Sequence, residues 1–370
     1  MYSIQYSSTY NNRYEVLSKG IRAYGERESY RYTEYLMEGE IFLVGTLEIR
    51  YNKQRILSSY SSASRKINYE SIVQDRIDTV HKKRADANDE NIQDSGSKLG
   101  SVQEHTEYYL ESPVLERVKV LIAPDTSEYL VEGIVIGVLG EKTAENHLVA
   151  KRIIHTLDAI DATHPHCNLL VTPEYKSKKE DKEEAVIVIP TSESIKDAAE
   201  NAPIILLSSP LNHSHFNISN KIYAVPDEAD YPQFMLPWSI DSTAVHDKVV
   251  RKGVEMVANP SVIEIEGIRI GIVNIESIRS IVENHNGKYN MADYFKAMCI
   301  LLKNNHLSPL SPFSCPSTPM ATDSLVMAEL PDVLLLKCEY DGLERVVLNE
   351  KAFHLLLIKD KAAKIEKEQR

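Results

Sequence analysis

Ser261-Val262-Ile263-Glu264-Ile265-Glu266-Gly267-Ile268-Arg269-Ile270-Gly271-Ile272-Val273-Asn274-Ile275 is the stretch on which the fold turns. From Ser261 to Glu266 apolar and acidic residues alternate, the period-2 pattern of a strand with one wet face, and Gly267 permits a tight turn into a second strand from Ile268 to Ile275. The pair predicts a β-hairpin. Asn259-Pro260 sets a turn before it. After it, Tyr294, Phe295, Met298, Leu301 and Leu302 recur at helical spacing between Met291 and Asn304, which predicts a helix packing one face on the hairpin. Pro309, Pro312, Pro316 and Pro319 then crowd the segment from Leu307 to Pro319, so a stiff, extended loop held by its neighbours is expected there.

The whole chain bounds what this stretch can belong to. It has 370 residues, 43% apolar and 26% charged, ordinary values for a soluble globular protein of two or three domains. A net charge of −12 argues against a nucleic-acid binder that works alone, because affinity for phosphate comes from Lys and Arg. An acidic subunit docked on a basic partner remains open. Cys167, Cys299, Cys315 and Cys338 form no CxxC pair, which points to free thiols in a reducing compartment. The first residues lack the apolar core of a signal peptide, and no apolar run is long enough to span a bilayer, so a cytosolic or nuclear protein is expected.

Upstream of the hairpin, Tyr10, Tyr14, Leu17, Ile21 and Tyr24 fall at spacings of three and four, an amphipathic helix with an aromatic stripe. Gly39 to Arg50 reads as a strand in which Gly45 allows either a bulge or a close backbone approach. Ser58 to Glu107 is polar and mostly aperiodic, a long insertion expected to be partly disordered, with a short possible helix at Ile67 to Val80; its Lys82-Lys83-Arg84 reads as a solvated run rather than a nuclear-import signal or a phosphate contact. Tyr108 to Pro113, Leu115 to Leu121, Tyr129 to Leu139 and Leu148 to Ile154 are short strands with glycine at the bends. They suit a small antiparallel barrel of the OB type. Beyond His155 the apolar runs Asn168 to Val171, Ala185 to Ile189, Pro203 to Leu207, Lys221 to Val225, Val333 to Lys337 and Ala352 to Ile358 predict buried strands of a layered α/β sheet with helices. Lys359 to Arg370 is expected to be a charged helix or tail with nothing to bury.

Val225-Pro226-Asp227-Glu228-Ala229-Asp230, Leu236-Pro237, Asn259-Pro260, the hairpin at Ile265 to Arg269, Asn305-His306-Leu307 and Ser308-Pro309-Leu310-Ser311-Pro312 occur in one order. In that order they resemble the B-subunit family of replicative DNA polymerases, most nearly the small subunits of polymerase delta. Leu43 to Leu47 and Gly133 to Gly140 sit where that family has its OB barrel. The resemblance implies an α+β or α/β chain: an N-terminal helical segment at 1–35, an OB-fold domain at 36–155 with its insertion at 58–107, and a calcineurin-like phosphoesterase domain at 156–370.

Active phosphoesterases of that fold hold two metal ions in clusters of Asp, His and Asn, because paired cations must be neutralised and bridged to activate water. Here Thr172-Pro173-Glu174, Ser208-Ser209-Pro210, Val225-Pro226-Asp227-Glu228 and Lys337-Cys338-Glu339-Tyr340 stand where those clusters would lie. Lys337 brings a positive charge to such a place. His164-Pro165-His166 beside Cys167, and His213-Ser214-His215, sit in polar turns and are read as structural or solvated. Ser208-Ser209 lacks a Gly-x-Ser-x-Gly elbow and is not read as a nucleophile. No residue is therefore assigned a catalytic, cofactor-binding or metal-binding role. The resemblance implies a nuclear, non-catalytic scaffold for the C-terminal metal-binding domain of the polymerase delta catalytic subunit, and for a third, smaller subunit. The alternatives are a phosphodiesterase or nuclease with a rearranged metal site, and a single-stranded DNA-binding OB module.

Overall fold

The computed structural model describes residues 6–51, 106–114, 117–123, 129–159, 169–173, 186–189, 203–207, 221–225, 254–285, 287–315 and 320–367. Met1–Ile49 and Tyr108–Arg370 pack as one unit, and Arg50–Glu107 form another. Of the expected insertion at 58–107, Thr106 and Glu107 belong to a strand; the remainder, with its possible helix and Lys82-Lys83-Arg84, lies outside the described residues. Among the described residues no helix is long and apolar enough to cross a membrane.

Helix α1 (Tyr6–Arg27) realises the aromatic stripe. Tyr14, Leu17 and Ile21 are buried against Phe42, Val44, Val135, Leu139 and Ile154, while Tyr10 and Tyr24 lie nearer the solvent. The surface beneath is a closed barrel of β1 (Glu40–Tyr51), β2 (Thr106–Glu111), β3 (Val118–Leu121), β4 (Val135–Lys142) and β5 (Leu148–Ile154), in the order β1-β2-β3-β5-β4. The β1/β4, β4/β5 and β2/β3 ladders are antiparallel, but β3/β5 is parallel. The purely antiparallel barrel expected from sequence is thus corrected: directions cannot alternate all the way round a ring with an odd number of strands. Gly45 serves close approach, since a Cβ there would lie 2.6 Å from Leu110 Cγ and 2.7 Å from the Glu111 carbonyl oxygen, on β2.

The expected strand from Tyr129 begins later than its apolar content suggests. Leu130, Val131 and Ile134 are buried, but Gly133 holds φ at +83°, and regular pairing starts only at Val135.

Two further sheets follow. One is β10-β9-β8-β7-β16-β6, built from β6 (Leu169–Pro173), β7 (Val186–Ile189), β8 (Ile204–Leu206), β9 (Ile222–Ala224), β10 (Val254–Met256) and β16 (Ala363–Lys367). The other is β11-β12-β13-β15-β14, built from β11 (Ser261–Ile265), β12 (Ile268–Val273), β13 (Val333–Lys337), β14 (Gly342–Leu348) and β15 (Lys351–Ile358). Val171, Val188, Ile205 and Tyr223 of the first share one core with Ile268, Ile270, Leu335 and Leu356 of the second. The predicted hairpin is β11/β12, turning at Glu266 and Gly267, both with positive φ.

Three expectations are corrected. Lys359 to Arg370 is not a tail with nothing to bury. Ala363 and Ile365 are fully buried in β16, which runs antiparallel between β6 and β7, while Lys364 and Glu366 point to the wetter face. A strand two apolar residues deep is easily masked by its charges. The second strand of the hairpin ends at Val273 rather than Ile275, because the Asn274 side chain accepts from Glu276 N at 2.9 Å and caps α2 (Ile275–Asn284). Ile275, Ile278, Ile281 and Val282 form its buried face. From Leu307 to Cys315 the proline-rich segment is not extended: Ser311 N donates to Ser308 O and Phe313 N to Leu310 O, so this part winds through successive turns, while residues 316–319 lie outside the described residues. It is held by its neighbours as expected, with Leu307, Ser308, Ser311 and Cys315 buried. The predicted helix is α3 (Met291–Lys303), capped by Asn290. Together α2, α3 and this segment form the crossover that the parallel β12/β13 pair requires.

Candidate functional site

Of the positions at which the resemblance would put phosphoesterase ligands, only some are among the described residues. Thr172 and Pro173 are in β6 and pair with β16, and Val225 is buried after β9. Glu174, Ser208, Ser209, Pro210, Pro226, Asp227 and Glu228 lie outside the described residues, as do His164, His166, Cys167, His213 and His215. At the end of β13, Lys337 pairs with Ile358, and the Cys338 thiol faces the Tyr340 carbonyl at 3.6 Å. Glu339 accepts a 2.6 Å hydrogen bond from the Tyr294 hydroxyl. Burial, and then that carboxylate, raise the tyrosine's pKa. Glu339 is thus engaged in fixing α3 to the sheet. Among the described residues no three His, Cys, Asp or Glu side chains converge to hold a metal ion. Burial pushes the thiols of Cys299, Cys315 and Cys338 up to about 11, 12 and 11, far from nucleophilic thiolates.

What the fold does bring together is a buried polar node. Arg13 of α1 donates from Nε to Asp323 Oδ2 at 2.6 Å, and both side chains are 2% exposed. Its Nη1 donates to the Pro309 carbonyl at 2.7 Å and to the Gly133 carbonyl at 3.2 Å. One guanidinium therefore ties the helix, the barrel and the proline-rich segment together. Asp323 Oδ1 accepts from Leu325 N, and Asp323 N donates to Asn12 Oδ1.

His306 completes the node. Ser308 N donates to its Nδ1 at 3.0 Å, so the proton sits on Nε2, which donates to Asp323 Oδ2 at 3.1 Å. Burial, and then the nearby Arg13 charge, hold His306 neutral, its pKa lowered to about 4. Burial works to raise the Asp323 carboxyl, but the His306 hydrogen bond and the Arg13 charge override it and keep the group well below the usual carboxylate range. A histidine, an aspartate and the Ser308 hydroxyl thus lie close together, yet all three are shut away from solvent. The node orders structure and has no access to a substrate. A second tie runs nearby, where Asn304 Nδ2 donates to the Ile300 and Tyr129 carbonyls and its Oδ1 lies 3.0 Å from His155 Nδ1.

Comparison with known proteins places this geometry. The sequence model of the B subunit of DNA polymerase alpha/epsilon matches residues 135–342, more than half of the chain. The chain belongs to the B-subunit family of DNA polymerases. The sequence model of the DNA polymerase delta subunit OB-fold domain matches residues 5–153 of this B-family chain, the portion that carries α1 and the barrel. A segment of 83 residues is 36% identical to the DNA polymerase II small subunit of Archaeoglobus fulgidus. That segment is 22% of this chain and only 17% of the relative.

Sequence reasoning on this family member passed over Arg13 and Asp323. The available signal was charge isolation at one end only: Asp323 is the one charged residue between Lys303 and Glu329, whereas Arg13 is followed by Glu15 and Lys19. An isolated charge beside apolar positions such as Leu325, Val326 and Met327 is a candidate for burial with a partner.

Outside the node, Phe313 is 92% exposed at the tip of the proline-rich segment, although Leu310 beside it is only partly exposed and Ser311 and Cys315 are buried. The Tyr10 hydroxyl of α1 donates to the Ser311 carbonyl at 3.2 Å. An exposed phenylalanine on a hydrogen-bonded segment, with Tyr10 also exposed beside it, is suited to recognition rather than chemistry.

Proposed function

We propose that this chain is the accessory subunit of DNA polymerase delta, a non-catalytic scaffold that works in the nucleus. In this reading it holds the C-terminal metal-binding domain of the catalytic polypeptide, together with a third, smaller subunit. The observation that carries the assignment to delta, rather than alpha or epsilon, is the delta OB-fold match across residues 5–153, which covers the helix and barrel that Arg13 joins to the rest of the chain. The two facing sheets with one shared core support reading the second half as a phosphoesterase-like domain. The side chains that replace its ligands, with Lys337, Cys338 and Glu339 in structural contacts, support the loss of its chemistry.

The test is co-expression of the full chain with the catalytic subunit of polymerase alpha, delta or epsilon from the same organism, followed by purification through a tag on the chain. The expected result is a stoichiometric complex with delta alone. A stable complex with alpha or epsilon instead moves the assignment, and failure to bind any of the three overturns it. Stoichiometric Mn or Zn in the purified chain, with cleavage of a generic phosphodiester, would establish the enzymatic alternative.

A further inference from the structure

The chain is 26% charged, yet residues 1–12 and 304–322 contain no Asp, Glu, Lys or Arg. The fold puts described parts of these two stretches together. Thr9 Oγ1 donates to the Met320 carbonyl at 2.7 Å and accepts from Met320 N at 3.0 Å; Ser8 Oγ donates to the same carbonyl; the Tyr10 hydroxyl reaches the Ser311 carbonyl. The first charges beyond them, Arg13 and Asp323, are spent on each other inside the protein. Neither stretch brings a charged side chain to the neighbourhood of Phe313, which is 92% exposed, with Tyr10 of α1 also exposed nearby. The Leu310 carbonyl accepts from both Phe313 N and Ser314 N, and Ser311 Oγ donates to the Cys315 carbonyl, so the loop that carries Phe313 is already ordered.

We propose that Phe313 is a docking anchor that inserts into an uncharged apolar pocket of the catalytic polymerase subunit, an inference that rests on the accessory-subunit reading above. Charge chooses the occupant. A nucleic acid needs cations along its phosphates, and the segment that carries Phe313 and the start of α1 beside it supply none before Arg13, which is buried. A partner that binds by ion pairing finds no counter-charge in them. An apolar protein pocket fits, because interface centres are depleted of charge and enriched in aromatic residues, and a preordered loop loses little entropy on docking. A buried aromatic anchor of this kind is worth roughly tenfold to a hundredfold in affinity.

The test uses the full chain with the full-length catalytic subunit of polymerase delta and measures the Kd of the pair for wild type, Phe313→Ala, Phe313→Asp and the control Val347→Asp, an exposed site on strand β14. Phe313 is almost wholly exposed, so its variants are expected to keep the wild-type thermal midpoint. Phe313→Ala should weaken binding about tenfold and Phe313→Asp about a hundredfold, with Val347→Asp within about twofold of wild type. Three results overturn the proposal while leaving the accessory-subunit reading intact: wild-type affinity in both Phe313 variants, equal weakening by Val347→Asp, or Phe313→Asp merely converting a dimer of this chain to monomer. If the wild type itself does not bind the catalytic subunit, the accessory reading and the docking proposal fall together.

Discussion

Replacing Asp323 by Asn tests whether the buried node holds α1 to the rest of the chain. The substitution keeps the shape and one acceptor oxygen but removes the charge that faces Arg13 Nε and His306 Nε2. Arg13 is 2% exposed, so its cation cannot turn to water and is left with the Pro309 and Gly133 carbonyls as partners. Breaking a buried ion pair from one side costs about 3–5 kcal/mol, against at most about 1 kcal/mol for an exposed pair. Asp323→Asn is therefore expected to lower the unfolding free energy by about 3–5 kcal/mol in urea titrations followed by far-UV circular dichroism. Arg13→Met should cost a similar amount by stranding the carboxylate. Because each single variant leaves one unpaired charge and the double variant leaves none, Arg13→Met with Asp323→Asn should cost at least about 2 kcal/mol less than the sum of the two. Additive effects, or single variants within about 1 kcal/mol of wild type, would refute the assignment of a coupled buried pair.

Three other expectations follow from the same geometry. The His306 pKa is lowered to about 4 from an ordinary value near 6.5, so the unfolded chain takes up the proton first; stability is fully present above pH 6.5 and falls by about 2–3 kcal/mol as pH drops from 7 to 4.5, and a urea midpoint unchanged over that interval contradicts the buried neutral imidazole. Ile365→Ala in β16 should cost about 2–5 kcal/mol through the cavity it leaves between β6 and β7, whereas a solvated tail would register no change in the thermal midpoint. Gly133→Ala should cost about 1–3 kcal/mol, because the residue has φ +83° and an added Cβ would lie 2.5 Å from the Pro309 carbonyl oxygen; a neutral result would show that the barrel and the proline-rich segment do not meet as described.

The readable parts of this fold were those where a local pattern and its burial coincide. Ile263 and Ile265 alternate with Glu264 and Glu266, and Tyr294, Phe295, Met298, Leu301 and Leu302 repeat at helical spacing, so the hairpin and α3 were legible. Helix α2 was obscured because Ile275, Ile278, Ile281 and Val282 are β-branched and continue the strand's composition, while the change of period hangs on the side chain of Asn274. β16 was obscured by the opposite bias, with two buried residues set among charges. The polymerase-subunit resemblance was legible from motifs in order across the chain.

The node was not legible, because Arg13 and Asp323 lie 310 residues apart and no window contains both. Yet that pairing joins the ends of two uncharged stretches the sequence does display, 1–12 and 304–322. Since Arg13 and Asp323 neutralise each other inside the protein, the start of α1 and the segment around Phe313 come together without either of these charges reaching the surface. The stability of the node and the docking of Phe313 are thus linked in one direction. Asp323→Asn, by loosening α1 from the proline-rich segment, should weaken attachment to the catalytic polypeptide as well as folding, whereas Phe313→Asp should weaken attachment and leave the urea midpoint where it was. Equal loss of stability in both variants would mean that Phe313 is held by the fold rather than offered to a partner.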